Sequence, residues 1–197
     1  ALALPLGNKG LTAGLSYMES MTRPGGDAQD LGLEANMKAA TGTLSYPLVY
    51  KRDKAVFFRG TLSWSDEIQQ TNSGGEDQDL SHDRVTALRF GTSLNRCEVG
   101  CLGIDLQVSR GIDIGSRSLG DVGSGTPLSR GSGKNNFTHF KLDTTYTVAI
   151  ADLVFNVNTG GQLALDDLLN SEQSSITGPN KLSGFTSGSI SGDENWY

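Results

Sequence analysis

The chain has 197 residues, 36% of them hydrophobic, with a mean hydropathy of −0.29 and a formal net charge of −6. That length suits one domain, the negative charge gives no electrostatic support for a nucleic-acid partner, and no apolar run approaches the roughly 20 residues of a membrane-spanning helix. The opening residues ALALPLGN lack the basic start and apolar core of a signal peptide, no Met initiates the chain, and its first residues read as a strand. The chain is therefore expected to be a piece of a longer protein.

Alternation with a period of two dominates from there on. LTAGLSYMES and DLGLEANMKAATG carry it weakly. AVFFRGTLSWSDE sets Val56, Phe58, Leu62 and Trp64 opposite Arg59, Thr61 and Ser63. DRVTALRFGTSLNR sets Leu88, Phe90 and Leu94 opposite Arg89, Gly91 and Ser93. CLGIDLQVSRGID places Leu102, Ile104, Leu106 and Val108 against Asp105, Gln107 and Ser109. FTHFKLDTTYTVAI separates Phe140, Leu142, Thr144, Tyr146, Val148 and Ile150 from His139, Lys141, Asp143, Thr145 and Thr147. LVFNVNTGGQLALDD separates Leu153, Phe155, Val157, Leu163 and Leu165 from Asn156, Asn158 and Gln162. Side chains alternate between the faces of a strand, so each segment predicts a strand with one greasy and one wet side. Seven strands result, with partial ones at both ends.

Connections alternate in length. PLGNKG, PLVYKRDKA, CEVGC and AIADL are short; RPGGDAQD, QQTNSGGEDQDLSHD, GSRSLGDVGSGTPLSRGSGKNN and the closing glycine-rich stretch are long. An up-and-down meander then puts tight turns on one side and long loops on the other, as in outer-membrane barrels. A soluble antiparallel sandwich also alternates. Three features favour the barrel: the strands are long, the polar face is rich in Gly, Ser, Thr and Asn, and aromatics gather near strand ends. Tyr46 and Tyr50 lie by one turn, with Tyr17 and Trp64 towards the other side. The fold class expected is all-β, an antiparallel transmembrane barrel of which the chain forms about half.

Catalytic and metal chemistry find little support. Cys97 and Cys101 flank a short turn, where facing residues can reach disulfide geometry. A metal site would need more ligands than they supply. Glu76, Asp77, Asp79 and Asp83 read as a solvated acidic loop; Ser81 and His82 break the calcium-loop pattern. His139, Lys141 and Asp143 share a face but are spaced almost 7 Å apart along it, too far for direct proton relay. No nucleophile elbow, phosphate loop or zinc-protease motif occurs, and GSISG carries Ile190 at the nucleophile's place. The chain is expected to be no enzyme and to take no cofactor.

With these strands laid out, the sequence resembles the barrel of a two-partner secretion transporter. This is the TpsB family, haemolysin secretion/activation proteins of the ShlB/FhaC/HecB type. The resemblance covers most of the chain. It rests on ALALPLGNKGLTAGLSY, on GTLSYPLVYKRDKAVFFRGTLSW, and above all on SEQSSITGPNKLSGFTSGSISGDENWY. In the last, Leu182, Ser183, Gly184 and Phe185 stand where the family has a Val-Arg-Gly-Tyr/Phe tetrad. Gly192, Asp193, Trp196 and Tyr197 match its strand start.

The resemblance implies a long outer loop folded back into the barrel lumen, where glycines such as Gly178 let the backbone pack against the wall. Ser183 replaces the family's loop-tip Arg; either Lys181 supplies the charge or the loop is held differently. A barrel of about sixteen strands is implied, an even number as bacterial barrels require. Periplasmic POTRA domains and early strands would precede residue 1, and final strands would follow Tyr197. Arg59, Arg89, Asp105, Gln107, His139, Lys141, Asp143, Asn156 and Asn158 would line the lumen. The partners implied are a secreted TpsA-like exoprotein, outer-membrane lipid and lipopolysaccharide, with no nucleic acid. The implied role is export from periplasm to cell surface without ATP. A barrel-assembly factor, a passive porin and a soluble adhesin remain as alternatives.

Overall fold

A computed structural model describes residues 1–23, 32–72, 77–118, 121–122, 125–178, 181 and 190–197. Eight strands run in order: β1 (Leu2–Leu6), β2 (Leu11–Thr22), β3 (Leu33–Tyr50), β4 (Lys54–Asn72), β5 (Asp77–Cys97), β6 (Cys101–Ile112), β7 (Thr138–Ile150) and β8 (Leu153–Ala164). Each pairs antiparallel with its sequence neighbour. A small pair follows, β9 (Ser174–Ser175) with β10 (Ser191–Gly192). The chain then returns as β11 (Asn195–Trp196) to the free edge of β8, completing a nine-stranded up-and-down sheet.

The register aligns the faces read from the sequence. One row runs Gly60, Phe90, Val108, Phe140, Leu163; another runs Phe58, Thr92, Leu106, Leu142. Phe58, Leu62, Phe90, Leu106, Phe140 and Val157 are all exposed. A soluble sandwich would bury this face against a second sheet; here no layer of the described residues covers it. The other face carries the rows Thr61, Arg89, Ser109, His139, Ala164 and Gln107, Lys141, Gln162, Asn195.

Strands take up parts of several segments read as connections, PLVYKRDKA and AIADL among them, and the largest departure is at the tip of β4 and β5. QQTNSGGEDQDLSHD is mostly strand: β4 continues to Asn72 and β5 begins at Asp77, leaving only 73–76 between them. The solvated acidic loop is therefore corrected. Asp77 and Asp79 pair on β5, Asp79 accepts a hydrogen bond from Gln70 (2.6 Å), and Asp83 is almost fully buried. Glu76 lies outside the described residues. The three central strands have 18, 19 and 21 residues, against roughly 9–11 for a tilted membrane crossing. Their upper ends extend past the apolar rows; polar residues stand on both faces there, Ser81 and Asp83 buried on the inner one, and the alternation that marks a strand is lost.

The buried core lies on the polar face at this upper end. Val85 and Ala87 of β5 and Ala164 of β8 meet Leu128, Phe137, Leu168 and Leu169, with Val122 against them. Four of these seven come from the two long connections after β6 and β8, which fold over the sheet.

Candidate functional site

The connection from β6 to β7, residues 113–137, covers an edge. β5 outreaches β6, so its upper residues would expose unpaired backbone, a hazard for any sheet. The connection supplies partners. The His82 amide donates to Pro127 (2.9 Å) and the Arg117 amide to Arg84 (2.8 Å). The Arg117 guanidinium reaches the His82 and Thr126 carbonyls at 2.7 and 2.5 Å. Asp83 accepts from the Ser129 amide (2.8 Å) and from its hydroxyl. Gly111 permits the return: its amide donates to Phe137 (2.9 Å), and a Cβ there would lie 2.0 Å from the Asn135 carbonyl oxygen.

The segment after β8 is gripped more deeply. Leu168 and Leu169 are fully buried in the core. They lead into a 3-10 turn, Asn170–Glu172, whose Glu172 turns onto the sheet. Arg89 donates to both of its carboxylate oxygens, at 2.6 and 2.9 Å. Arg89 also reaches Ser109 (3.0 Å), while Gln162 donates to the Glu172 carbonyl (3.1 Å). His139, almost fully buried, places Nε2 3.4 Å from Glu172, a long contact, so the guanidinium carries the pairing. Burial opposes the charged form of Glu172, but His139 and Arg89 outweigh it and hold its carboxyl below the ordinary range.

A second clasp closes the far end. Arg130, from the β6–β7 connection, donates to Asp193 (2.6 Å) and to the Leu168 carbonyl (2.7 Å). Gln173 also donates to Asp193 (2.9 Å). Asp193 is partly buried, which opposes its charge, yet Gln173 and Arg130 hold its carboxyl below the usual value. Asn195 donates to the Ser174 carbonyl (2.5 Å). Lys181 donates to the Ser175 carbonyl and stands 4.8 Å from the Tyr197 ring centre, and the Tyr197 hydroxyl donates to Asp143 (2.5 Å). Lys181 thus stands beside the polar face of the sheet, two residues before Ser183.

These two carboxylates predict a pH response. Both folded values are depressed, so the docking they give is complete above their ordinary values of 4.5 and 3.8. It is lost as pH falls through the lower folded values. Protease accessibility of residues 165–178 should rise on acidification below that range and stay flat from neutral pH down to it. A rise already complete above 4.5 would contradict the assignment.

The other residues expected to line a lumen share the polar face but form smaller groups. Arg59 pairs with Asp105 (2.8 Å), Lys141 stands 3.5 Å from Asp143, Gln107 donates to Ser109 (3.2 Å), and Asn156 donates to Thr147 (2.9 Å). Asn158 is exposed opposite Thr145. His139, Lys141 and Asp143 do not act as a trio, since His139 faces Glu172 while Asp143 faces Tyr197. Cys97 and Cys101 are joined by a disulfide across their turn, with Cα atoms 4.1 Å apart. Gly178 is buried with φ 146°, a backbone state closed to most side chains. Leu182, Ser183, Gly184 and Phe185 lie outside the described residues. Glu172, Arg130, Asp83 and Gln162 were not singled out from the sequence as binding groups.

Comparison with known proteins follows the same lines. A family model described as haemolysin secretion/activation protein ShlB/FhaC/HecB matches residues 1–197. Among solved structures, CdiB from Escherichia coli superposes with a TM-score of 0.69 at 18% sequence identity, over 94% of this chain and 33% of that one. The chain thus spans about a third of the structure it matches. No curated protein sequence matches it.

Proposed function

Because the chain belongs to the haemolysin secretion/activation protein family, we propose that it forms part of an outer-membrane translocator that carries a large exoprotein from the periplasm to the cell surface. The exposed apolar face meets lipid, and the polar face lines the lumen. Residues 165–178 fold into that lumen, and the connection from β6 to β7 clasps them through Arg130. One observation carries the reading: a carboxylate from the returning segment, Glu172, is buried on Arg89 of the wall. A surface loop would leave both groups in water.

The chemistry of passage follows from the wall. Arg59, Asp105, Gln107, Lys141, Asp143, Asn156 and Asn158 offer weak, exchangeable polar contacts to an unfolded chain, whereas an apolar wall would retain it. The sequence carries no phosphate loop, and folding of the exported chain outside supplies the drive. The plug must leave before the cargo passes, which suits a grip made of two ion pairs and a few leucines.

Deleting residues 178–190 is expected to abolish export while the barrel still inserts. Immunoblots of medium and outer membrane separate the two effects, and normal export by the deletion would overturn the reading. A strain lacking the gene should lose one large exoprotein from its medium. Loss of many outer-membrane barrels would instead identify an assembly factor, and no change in either fraction a porin.

A further inference from the structure

The lipid-facing side carries one anomaly. From the row of Val56 up to the row of Leu62, every outward position of the described strands is uncharged except Arg110. Its row neighbours are Leu88 and Thr138, with Leu62 beyond Leu88. A cation on the lipid face of a barrel is costly at the bilayer midplane and nearly free at the border. Arg110 is eight residues above Leu102, the first outward residue of β6. That is about 27 Å along the strand and about 19 Å of depth at a tilt of about 45°. It therefore stands near the outer border of a band about 25 Å tall.

No carboxylate among the described residues pairs with it. Its one hydrogen bond goes to the Thr138 hydroxyl (2.5 Å). The nearby Asp166 binds the Thr138 amide and is matched by Lys134 at 3.1 Å. Directly below Arg110, Phe58, Phe90, Thr92, Leu106, Val108 and Phe140 line a groove of about 250 Å³. The Phe58 and Phe90 rings stack at 6.2 Å along one wall, and the short Thr92 leaves the floor low. All of these strands have both sheet neighbours in place, so no further strand of the barrel can cover this face.

We propose that Arg110 and this groove bind one molecule of lipopolysaccharide through its lipid A, the guanidinium taking a glucosamine phosphate and the groove an acyl chain. The choice of an outer-leaflet lipid rests on the proposed function, which puts the long connections outside. Arginine matches phosphate through two parallel hydrogen bonds, and the groove adds van der Waals packing to the acyl chain, since hydrocarbon supplies no hydrophobic drive of its own.

The test uses the full-length protein, purified in mild detergent, with native mass spectrometry after adding hexa-acylated lipid A or, separately, phosphatidylglycerol. One lipid A should remain bound. Arg110→Gln should weaken it about tenfold, the loss of one charge-assisted contact, and Thr92→Trp, which fills the groove, should weaken it comparably. Heat-modifiable mobility checks that each variant is folded. Unchanged retention in Arg110→Gln overturns the proposal, and so does equal, Arg110-dependent retention of phosphatidylglycerol. Export is assayed on the same proteins. A barrel that binds lipid A through Arg110 yet exports nothing keeps the lipid site and removes the transport reading.

Discussion

Glu172→Ala is expected to release the returning segment from the sheet. The substitution leaves Arg89 charged, mostly buried and facing only Ser109 and Ser63. Removing one partner of a buried pair costs about 3–5 kcal/mol, because the stranded charge keeps its desolvation penalty. What remains is the burial of Leu168 and Leu169 and the clasp of Arg130 on Asp193 and the Leu168 carbonyl, which must still offset the conformational entropy of ordering the segment. The loss is therefore large against what holds the plug. Ion conductance of the reconstituted full-length protein should rise, and residues 165–178 should become open to protease.

A control separates charge from contact. Arg89→Met combined with Glu172→Met removes both charges and fills similar space, a change that is often neutral at buried pairs. The double variant should stay docked while the single one opens. If Glu172→Ala conducts like the parent, the ion pair is not what holds the segment. If the double variant opens as widely as the single one, the charges themselves are needed.

The strand framework was legible because each strand separates two solvents. Phe140, Leu142 and Tyr146 face one side and His139, Lys141 and Asp143 the other, and period two records the difference. The signal ends where both faces of a strand carry polar residues. Residues 77–83 extend β5 beyond the apolar rows, and their inner face is covered by polar partners such as Ser129 on Asp83, so polar residues on both faces read as a loop. The docking of the long connections left no period at all. Glu172 sits in SEQSS, a polar run like any surface turn, and its partner Arg89 lies 83 residues away. Arg89 was marked as a polar-face residue, but its partner could be found only from the fold. Leu168 and Leu169 belong to LALDDLLN, where they continue the hydrophobic tail of a strand. Their burial depends on the turn after Ala164, which the pattern does not encode. The glycine-rich closing stretch was legible as something unusual, and Gly192, Asp193 and Trp196 stand at the return to β8.

That return depends on two adjacent glycines, and replacing either should prevent the sheet from continuing past β8. At Gly161 a Cβ would meet the Trp196 ring at 2.2 Å and the Asn195 carbonyl oxygen at 2.5 Å. At Gly160, on the opposite face, it would meet the Leu142 carbonyl oxygen at 2.5 Å and the Asp143 and Tyr197 oxygens at 2.9 Å. Trp196 thus lies over Gly161 on the lipid side, while the Tyr197–Asp143 hydrogen bond passes over Gly160 inside. Overpacking costs about 1–3 kcal/mol where side chains can yield; here backbone oxygens of both neighbouring strands stand in the way. A loss of one or two kcal/mol lowers the folded-to-unfolded ratio about 5–30-fold, so Gly161→Val should lower the temperature at which heat-modifiable mobility is lost and reduce the barrel's level in the outer membrane. Gly60→Ala is the matched control, since its new methyl would meet only Phe90, at 3.7 Å. Adding Trp196→Ala to Gly161→Ala removes the ring but leaves the Asn195 oxygen, so recovery should be partial. Full recovery would mean that only the tryptophan requires the glycine, and an undiminished Gly161→Val barrel would mean that β11 can be set down on β8 without it.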